Sequence, residues 1–423
     1  MNKKLILIGL CIIALLASIL SCNAPATTVS PAPGEGGGSP VSVTVTESPV
    51  LPPPAVSVLR VAYIKGDNVW LWTEGAGSIQ LTTTGGASAP VLSSDGLVVA
   101  FLRNRELWAV NADGSGERQL VSTTFLSTLA TGEDIAEVYD HVWIPGSHVI
   151  TFNTLVVAGI VGYRIPQFDL YSCNADGTTD MIVSLRASGS GGVPYVSPDA
   201  MHIALAQPDK VIFLEISGAF INTAFTFTSI MTYSEWAYVP QLLWLPDSSG
   251  VRVIIPPSDP LGNPTDVTKV WNLPVSGTAT TLDSFITAPA FFSAPILSPE
   301  GNKVLYMAES GDSYIIQVRE IGGSDNGYLS GPKGDIGIVN WSPDSVHFVY
   351  WSPQRSNTFL GSVGEVGSNI SDIGPNANVV EWIDDGHLIF IGDSGELRYR
   401  FIEGASSLID SNVTEYDLGR VIY

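Results

Sequence analysis

The stretch Val91–Leu120, VLSSDGLVVAFLRNRELWAVNADGSGERQL, contains four short strand-like segments separated by turns. The turns at Ser93–Gly96 and Asn111–Gly116 each contain an Asp-Gly pair, which supplies the positive φ that a tight hairpin needs. The segments between the turns are rich in β-branched and aromatic residues, which favour strands. The stretch therefore predicts one four-stranded antiparallel meander.

The same unit recurs along the chain. Its first turn and second strand return as IPGSHVITFN (144–153), VSPDAMHIALA (196–206), LPDSSGVRVII (245–255), LSPEGNKVLYMA (297–308), WSPDSVHFVYW (341–351) and WIDDGHLIFI (382–391). Its third strand and following turn return as DLYSCNADG (169–177), VIFLEISG (211–218), VWNLPVSG (270–277) and IIQVREIGG (315–323). A period of roughly 40 to 50 residues with four strands per repeat is typical of a β-propeller. We therefore predict an all-β fold, a propeller of four-stranded antiparallel blades.

The two ends of the repeat array predict how the ring closes. VAYI (61–64), VWLWT (69–73) and IQLT (79–82) correspond to strands two, three and four of a blade that lacks a first strand. At the other end, Glu415–Tyr423 is one strand in excess. We predict that this C-terminal strand is the innermost strand of the first blade, which gives eight blades. Seven is the alternative, if the divergent segment 338–373 or the ends are merged differently.

The repeat also resembles a known family. Ser-Pro-Asp before an apolar strand, followed by Asn-Ala-Asp-Gly and Gln-Leu, is similar to the WD-repeat-like blades of TolB-type periplasmic propellers and of prolyl-oligopeptidase-like peptidases. The resemblance covers nearly everything after about residue 58. It implies a propeller that binds a protein partner, although families that share these blades differ in what they bind.

The N-terminus reads as a lipoprotein signal. Lys3 and Lys4 precede an apolar run that ends Ile19-Leu20-Ser21-Cys22, which resembles a bacterial lipobox with Cys22 as the lipidated residue. We predict a signal peptide over 1–21 and export, with lipid anchoring to the outer face of the cytoplasmic membrane or to the outer membrane. An ordinary signal peptide and an uncleaved anchor are the alternatives.

Residues 22–57 contain eight prolines and a glycine run and predict a tether, so that the propeller occupies 58–423. As a coil the tether would span roughly 35 Å, and fully extended about 110 Å. Such a segment holds a folded head away from the membrane.

The composition argues against nucleic-acid binding. The formal net charge is −22, and the sequence contains no Lys/Arg patch that could neutralise phosphates. An acidic surface could attract cationic ligands or Ca²⁺, but solubility is the simpler interpretation.

Loop lengths predict where a site lies. Long connections join strand four to the next strand one, and strand two to strand three, and both classes emerge on the same side of the propeller. This face is where we expect binding, because functional residues lie preferentially on loops held by a rigid scaffold. The candidate binding residues are the aromatic side chains on these loops: Tyr163, Tyr233, Trp236, Tyr238, Phe291, Phe292 and Trp351, with Phe125 nearby. Alternatively, these aromatics pack on one another as small satellite cores.

The histidines, the acidic residues and Cys173 give little indication of a metal site or a reactive group. His148, His202, His347 and His387 occupy the same position of different repeats, so we expect no convergent metal site. Two acidic groups, one at 133–140 and one at Asp259 and Asp266, lack EF-hand spacing. Cys173 aligns with Val110, an apolar strand position, which predicts a buried thiol.

Known catalytic and cofactor motifs are missing from the sequence, including Gly-x-Ser-x-Gly, His-Glu-x-x-His and a phosphate loop. We therefore expect a non-catalytic scaffold for a protein or peptide, without a cofactor. The alternatives are a propeller that binds an extracellular glycan or small ligand and, third, a hydrolase or lyase with its site in the central channel. Carboxylates or histidines converging near the axis would favour the third.

Overall fold

A computed structural model of the chain describes residues 57–422, apart from 160–161, 264, 290–293, 333–336, 353–356, 364–370, 376–378, 393 and 403. Within this part of the chain, eight antiparallel sheets follow one another and form an eight-bladed β-propeller. The prediction of eight blades is confirmed. One short helix, α1 (Thr123–Leu126), is described between blades 2 and 3.

The first four blades follow the predicted four-stranded meander, with one additional short strand, β10, in blade 3. Blade 1 contains β1 (Ser57–Lys65), β2 (Asn68–Thr73) and β3 (Gly77–Gln80). Blade 2 contains β4 (Ala87–Leu92), β5 (Val98–Arg103), β6 (Glu106–Asn111) and β7 (Arg118–Val121). Blade 3 contains β8 (Ile135–Trp143), β9 (Val149–Val157), β10 (Arg164–Pro166), β11 (Leu170–Asn174) and β12 (Ile182–Arg186). Blade 4 contains β13 (Val193–Val196), β14 (His202–Ala206), β15 (Lys210–Glu215) and β16 (Phe220–Thr226).

The remaining blades follow the same order. Blade 5 contains β17 (Leu242–Trp244), β18 (Gly250–Ile255), β19 (Thr268–Pro274) and β20 (Thr280–Phe285). Blade 6 contains β21 (Ile296–Leu297), β22 (Lys303–Ser310), β23 (Ser313–Glu320) and β24 (Asp325–Pro332). Blade 7 contains β25 (Gly337–Trp341), β26 (His347–Ser352), β27 (Asn357–Ser362) and β28 (Ser371–Pro375). Blade 8 contains β29 (Val379–Trp382), β30 (His387–Ile391), β31 (Leu397–Phe401) and β32 (Ser406–Asp410), and the last strand is β33 (Val413–Ile422).

The ring is closed by the last strand, as predicted. β33 pairs antiparallel with β1 from Ser57↔Ile422 to Lys65↔Val413, so the first sheet has the order β3-β2-β1-β33. This pairing joins the N-terminal and C-terminal parts of the propeller within one sheet. It also covers the edge of β1, which would otherwise present unpaired N–H and C=O groups.

Neighbouring blades are held together by apolar cores. Eight clusters of buried residues occur in the described part of the chain, and each contains residues of two adjacent blades. β5 shows the pattern: Val98 and Ala100 pack toward blade 3, whereas Val99 and Phe101 pack toward blade 1. Because successive strand residues point to opposite faces, a central strand must be apolar on both faces, which gives the continuous apolar runs of the sequence.

The recurring Ser-x-Asp sequence builds the turn between the first and second strands of a blade. In blade 2, the Ser93 hydroxyl donates to Asp95 Oδ1 (2.6 Å) and accepts from Val98 N (3.0 Å). Asp95 Oδ1 also accepts from Leu97 N (3.0 Å), and Gly96 has a φ of +69°. The same bonds recur at Ser197-Pro-Asp199 and Ser342-Pro-Asp344. The Ser-x-Asp signature therefore recurs because it stabilises this turn in each blade.

Tryptophans link alternate blades. In blades 3, 5 and 7, the last residue of the first strand is a Trp whose indole N–H donates to a backbone carbonyl of the preceding blade's first strand. Trp143 donates to Val91 (3.0 Å), Trp244 to Tyr195 (2.9 Å) and Trp341 to Ile296 (3.4 Å). These bonds satisfy carbonyls of the innermost strands, which have no further strand on their inner side.

The two faces of the propeller differ. The loop face carries the connections from strand two to strand three and from strand four to the next strand one, and the turn face carries the others. β1 is the second strand of blade 1, so it ends at Lys65 on the loop face and begins at Ser57 on the turn face. The chain therefore enters the propeller at Ser57, on the turn face.

Ring closure gives the first prediction. A chain that ends at residue 412 lacks β33 and should lose the single cooperative unfolding transition, because the edge of β1 and the core of blades 8 and 1 are opened. Thermal unfolding followed by far-UV circular dichroism measures this. A synthetic peptide of residues 413–423 added in trans should restore the transition. An unchanged transition in the truncated chain would show that β33 does not close the ring.

Candidate functional site

Two loops at the top of blade 5 are bonded to each other. Met231 N donates to the Ser258 carbonyl (2.8 Å), and the Tyr233 hydroxyl donates to the Asp259 carboxylate. Asp259 Oδ1 also accepts from Leu261 N (3.2 Å). We call residues 231–236 and 257–263 the blade 5 ridge. These bonds hold the two loops together as one raised element of the loop face.

The blade 5 ridge exposes large apolar side chains. The exposed fractions are 48% for Met231, 57% for Tyr233, 43% for Trp236 and 55% for Leu261. Within the ridge, Thr232 Oγ1 donates to the Trp236 carbonyl (2.6 Å) and fixes the turn between the two aromatic residues. Large exposed apolar side chains on neighbouring loops are characteristic of contact surfaces, whereas such residues scattered singly carry no such meaning.

Tyr238 has a different environment from Tyr233 and Trp236. It is half-buried and packs against the apolar cluster between blades 4 and 5. Burial raises the pKa of its hydroxyl, with the nearby Tyr195 as a smaller cause. The structure therefore places Tyr238 beneath the ridge, as part of its support.

A second raised element lies on blade 3. β9 continues beyond its pairing with β11 and there pairs with both β8 and β10, at residues 155–157. Arg164 Nη2 lies 3.0 Å from Glu137 Oε2 across this extension, and Asp134 Oδ1 accepts from Gly159 N (3.0 Å). We call residues 133–137, 155–159 and 162–166 the blade 3 ridge. It exposes Tyr163 (57%) and Ile165 (49%).

The other candidate residues are separated from the two ridges. Trp351 is 37% exposed and lies on β26 of blade 7. Phe125 packs edge-on against Tyr171, with ring centroids 5.4 Å apart, so it belongs to the apolar core between blades 2 and 3. Phe291, Phe292 and the lipidation candidate Cys22 lie outside the described residues.

Acidic side chains on the innermost strands are a feature that the sequence reasoning missed. Glu415 and Asp417 of β33 accept hydrogen bonds from two backbone amides of β4: Glu415 from Ala89 N, and Asp417 from Leu92 N (2.7 Å). His141 Nε2 lies 3.1 Å from the Ala89 carbonyl. The first strands of blades 1, 2 and 3 are thus joined around the axis. The signal was present in the carboxylates of EYDLG, at 415–419, in a segment predicted as an inner strand.

Three ionisable side chains on the inner strands have shifted pKa values because they are buried. Burial, with the neighbouring Asp417 carboxylate as a smaller cause, raises the pKa of Glu381 to about 8. Burial raises the pKa of Asp140 to about 6, against a hydrogen bond from Asn153 that lowers it. Burial lowers the pKa of His141 to about 4. Near neutral pH, Glu381 is therefore a protonated carboxyl group that lies beside the carboxyl group of Asp417.

The histidines of the repeats lie where the alignment predicts, at the start of the second strands. His202 N and His347 N donate to the turn serines Ser197 and Ser342. His148 bridges Asp95 (2.9 Å) and Asp176 (2.8 Å) on the turn face. Among the described residues, no three His, Cys, Asp or Glu side chains are arranged to hold a metal ion.

Cys173 is 4% exposed in β11, as its alignment with Val110 predicts, and burial raises the pKa of its thiol to about 12. In the described part of the chain, no helix is both long and apolar enough to cross a membrane.

No protein-family model and no curated protein sequence matches the chain. Solved structures do match it. The Dos1 propeller is 14% identical, with a TM-score of 0.53, over 79% of this chain and 85% of that one. A eukaryotic initiation factor is 11% identical, with a TM-score of 0.50, over 85% of this chain and 98% of that one. TolB from Acinetobacter baumannii is 11% identical, with a TM-score of 0.34, over 85% of this chain and 66% of that one. The first two similarities support the β-propeller fold, and at such identities they support no statement about what the chain binds.

The different environments of the two tyrosines give a stability prediction. Tyr238→Ala should lower the free energy of unfolding by about 2 to 3 kcal/mol, because it removes a packed ring. Tyr233→Ala should change it by less than about 0.5 kcal/mol, because that ring is largely in solvent. Urea unfolding at equilibrium measures both. Equal losses would show that Tyr233 supports the fold.

Glu381 gives a pH prediction. The folded chain keeps this proton up to about pH 8, whereas the ordinary pKa is 4.5, so between these values the folded state binds more protons than the unfolded state. The free energy of unfolding should therefore fall as pH rises through this window. In Glu381→Gln the part of that fall due to Glu381 should disappear, leaving the variant more stable than wild type at pH 8 by an amount on the order of a few kcal/mol.

The measurement is urea unfolding at several pH values, with Glu133→Gln, an exposed position on the loop face, as the control. The difference between variant and wild type isolates Glu381 from Asp140 and His141, which both proteins retain. A difference that does not vary between pH 4.5 and 8 would contradict the environment assigned to Glu381.

Proposed function

We propose that this chain is a lipid-anchored extracytoplasmic protein whose propeller binds a protein partner through the loop face. The observation that carries the proposal is the blade 5 ridge, where Met231, Tyr233, Trp236 and Leu261 are exposed on loops fixed by hydrogen bonds. Aromatic side chains held in place before binding bury much apolar area at little entropic cost, which is how protein interfaces obtain most of their affinity.

The topology supports this arrangement. The chain enters the propeller at Ser57, on the turn face, so the proposed tether and the proposed binding surface are on opposite faces. A partner on the loop face would not compete with the attachment to the membrane. The tether, at roughly 35 Å as a coil, would also leave room for the head to reorient.

The proposed role is non-catalytic. Carboxylates do converge on the innermost strands, which is the feature that would favour a hydrolase or lyase. However, Glu415 and Asp417 accept hydrogen bonds from backbone amides of β4, which is a structural use of these carboxylates. The apolar ridges are a better basis for a function than the channel, because they are exposed and rigidly supported.

The partner is tested by capture from detergent-solubilised envelope with the tagged full-length chain. A variant with Tyr233→Ala, Trp236→Ala and Leu261→Ala should lose a protein that the wild type retains. The matched control carries Met201→Ala and Leu97→Ala, equally exposed on the turn face, and should retain it. A protein retained equally by both variants, or by none of the three chains, would contradict binding through the ridge.

The anchor is tested by one substitution. Cys22→Ser removes the thiol that would be lipidated and should move the protein from the membrane fraction to the soluble extracytoplasmic fraction, since stable anchoring needs the acyl chains. Cys173→Ala is the control and should leave the distribution unchanged. A Cys22→Ser chain that stays in the membrane would show that anchoring does not depend on lipidation.

A further inference from the structure

The loop face contains a low region between its two ridges. Blade 4 joins β14 to β15 by the three residues 207–209, whereas the corresponding connections of blades 3 and 5 form the blade 3 and blade 5 ridges. Phe227 N donates to the Asp209 carbonyl (2.8 Å), which ties this short connection to the start of the next one, before that connection forms residues 231–236 of the blade 5 ridge. Blade 4 is therefore the floor between two raised walls.

The floor is rigid. The Gln207 side chain is 4% exposed and donates to the Gly191 carbonyl in the connection from blade 3. Asn153 Nδ2 donates to the Gly192 carbonyl (3.2 Å) from the same side. Sheets pack about 10 Å apart, so the walls on blades 3 and 5 are separated by about 20 Å. This is enough for one polypeptide segment, since a helix with its side chains is about 10 to 12 Å wide.

Both walls offer apolar contacts. The blade 3 ridge exposes Tyr163 and Ile165, and the blade 5 ridge exposes Met231, Tyr233 and Leu261. Two walls with apolar side chains on either side of a rigid floor are the arrangement expected of a groove for a segment with its own apolar residues.

The charge around the groove is negative. Exposed carboxylates lie on both walls and on the floor: Glu133 and Asp134 on blade 3, Asp209 on blade 4 and Glu235 on blade 5. The cations nearby are Arg164, which is paired with Glu137, Arg186, which lies over the Phe220 ring, and Lys210 and Lys269. Lys210 is half-buried and Lys269 is exposed, so carboxylates remain in excess. The whole chain carries a net charge of −22, so long-range attraction adds to the local effect.

We propose that this groove, bounded by the blade 3 and blade 5 ridges with blade 4 as its floor, binds a cationic segment of a protein partner in which Lys or Arg alternates with apolar residues. The inference rests on the proposed function and names the chemistry of its partner. Apolar side chains of the segment contact the ridges, and its basic side chains meet the exposed carboxylates. Charge complementarity raises the association rate and selects against acidic partners.

The test uses defined probes on the full-length chain in detergent. A fluorescent peptide of Lys-Leu-Lys-Tyr repeats is titrated by anisotropy beside a Glu-Leu-Glu-Tyr peptide and a uniform-lysine peptide. The first should bind at least about tenfold more tightly than either of the others, a difference that requires both charge and apolar contacts. Binding should weaken as salt rises, because exposed charges are screened.

Variants locate the binding. Tyr233→Ala, Leu261→Ala and Asp209→Asn should each weaken the Lys-Leu-Lys-Tyr peptide by about fivefold or more. Met201→Ala and Asp113→Asn, exposed on the turn face, should leave the Kd within about twofold. If substitutions on the two faces weakened peptide binding equally, the peptide would be responding only to the net charge, and the proposal would be overturned. Equal binding of the Glu-Leu-Glu-Tyr peptide would also overturn it.

Failure here is distinguishable from failure of the proposed function. If the envelope capture yields a protein that the ridge variant loses, while the Lys-Leu-Lys-Tyr peptide shows no dependence on Tyr233, Leu261 or Asp209, then the scaffold role stands and the cationic groove is wrong. If the peptide shows that dependence, the groove is supported whether or not a protein is captured.

Discussion

The pairing of β33 with β1 is the interaction on which the rest of the structure depends. It runs from Ser57↔Ile422 to Lys65↔Val413 and makes the first blade from both ends of the array. Without it, blade 1 would lack its innermost strand, and the core between blades 8 and 1 around Val61, Tyr63 and Tyr416 would be open. Each blade buries its apolar residues only against its neighbours, so the loop face has a fixed geometry only because the ring is closed.

The closure extends to the axis. Glu415 and Asp417 on β33 accept backbone amides of β4, and His141 on β8 lies beside the carbonyl of the same Ala89. Polar groups therefore satisfy inner strand edges that have no further strand to pair with. Tryptophans do the same for carbonyls in alternate blades, as at Trp244 and Tyr195. Burial on the inner strands also raises the pKa of Glu381 to about 8 and that of Asp140 to about 6.

The fold was predictable from the sequence because every repeat meets the same structural requirements. Ser-x-Asp recurs since each copy builds the same turn, and the apolar runs recur since each strand is buried on both faces. The unmatched segments at the two ends were enough to predict that β33 completes the first blade. The loop face was predictable from connection lengths, since strand order alone determines on which side a connection emerges.

The site was only partly predictable, because exposure depends on tertiary packing. Tyr233 and Tyr238 lie in one loop and cannot be distinguished by residue type, yet one is largely in solvent and the other supports the core. The hydrogen bond between Tyr233 and Asp259 joins two separate connections, and no local sequence pattern predicts it. The extension of β9 that raises the blade 3 ridge lies beyond the segment 144–153 that the repeat predicts, because its pairing with β8 is not visible in the repeat.

We propose that a protein partner contacts the loop face of the closed ring. The most direct measurement is site-specific photo-crosslinking of the full-length chain in the intact envelope, with a photoreactive phenylalanine at position 261 and, for comparison, at position 201 on the turn face. We predict a protein adduct from position 261 and none from position 201. An adduct from position 201 alone would contradict the account.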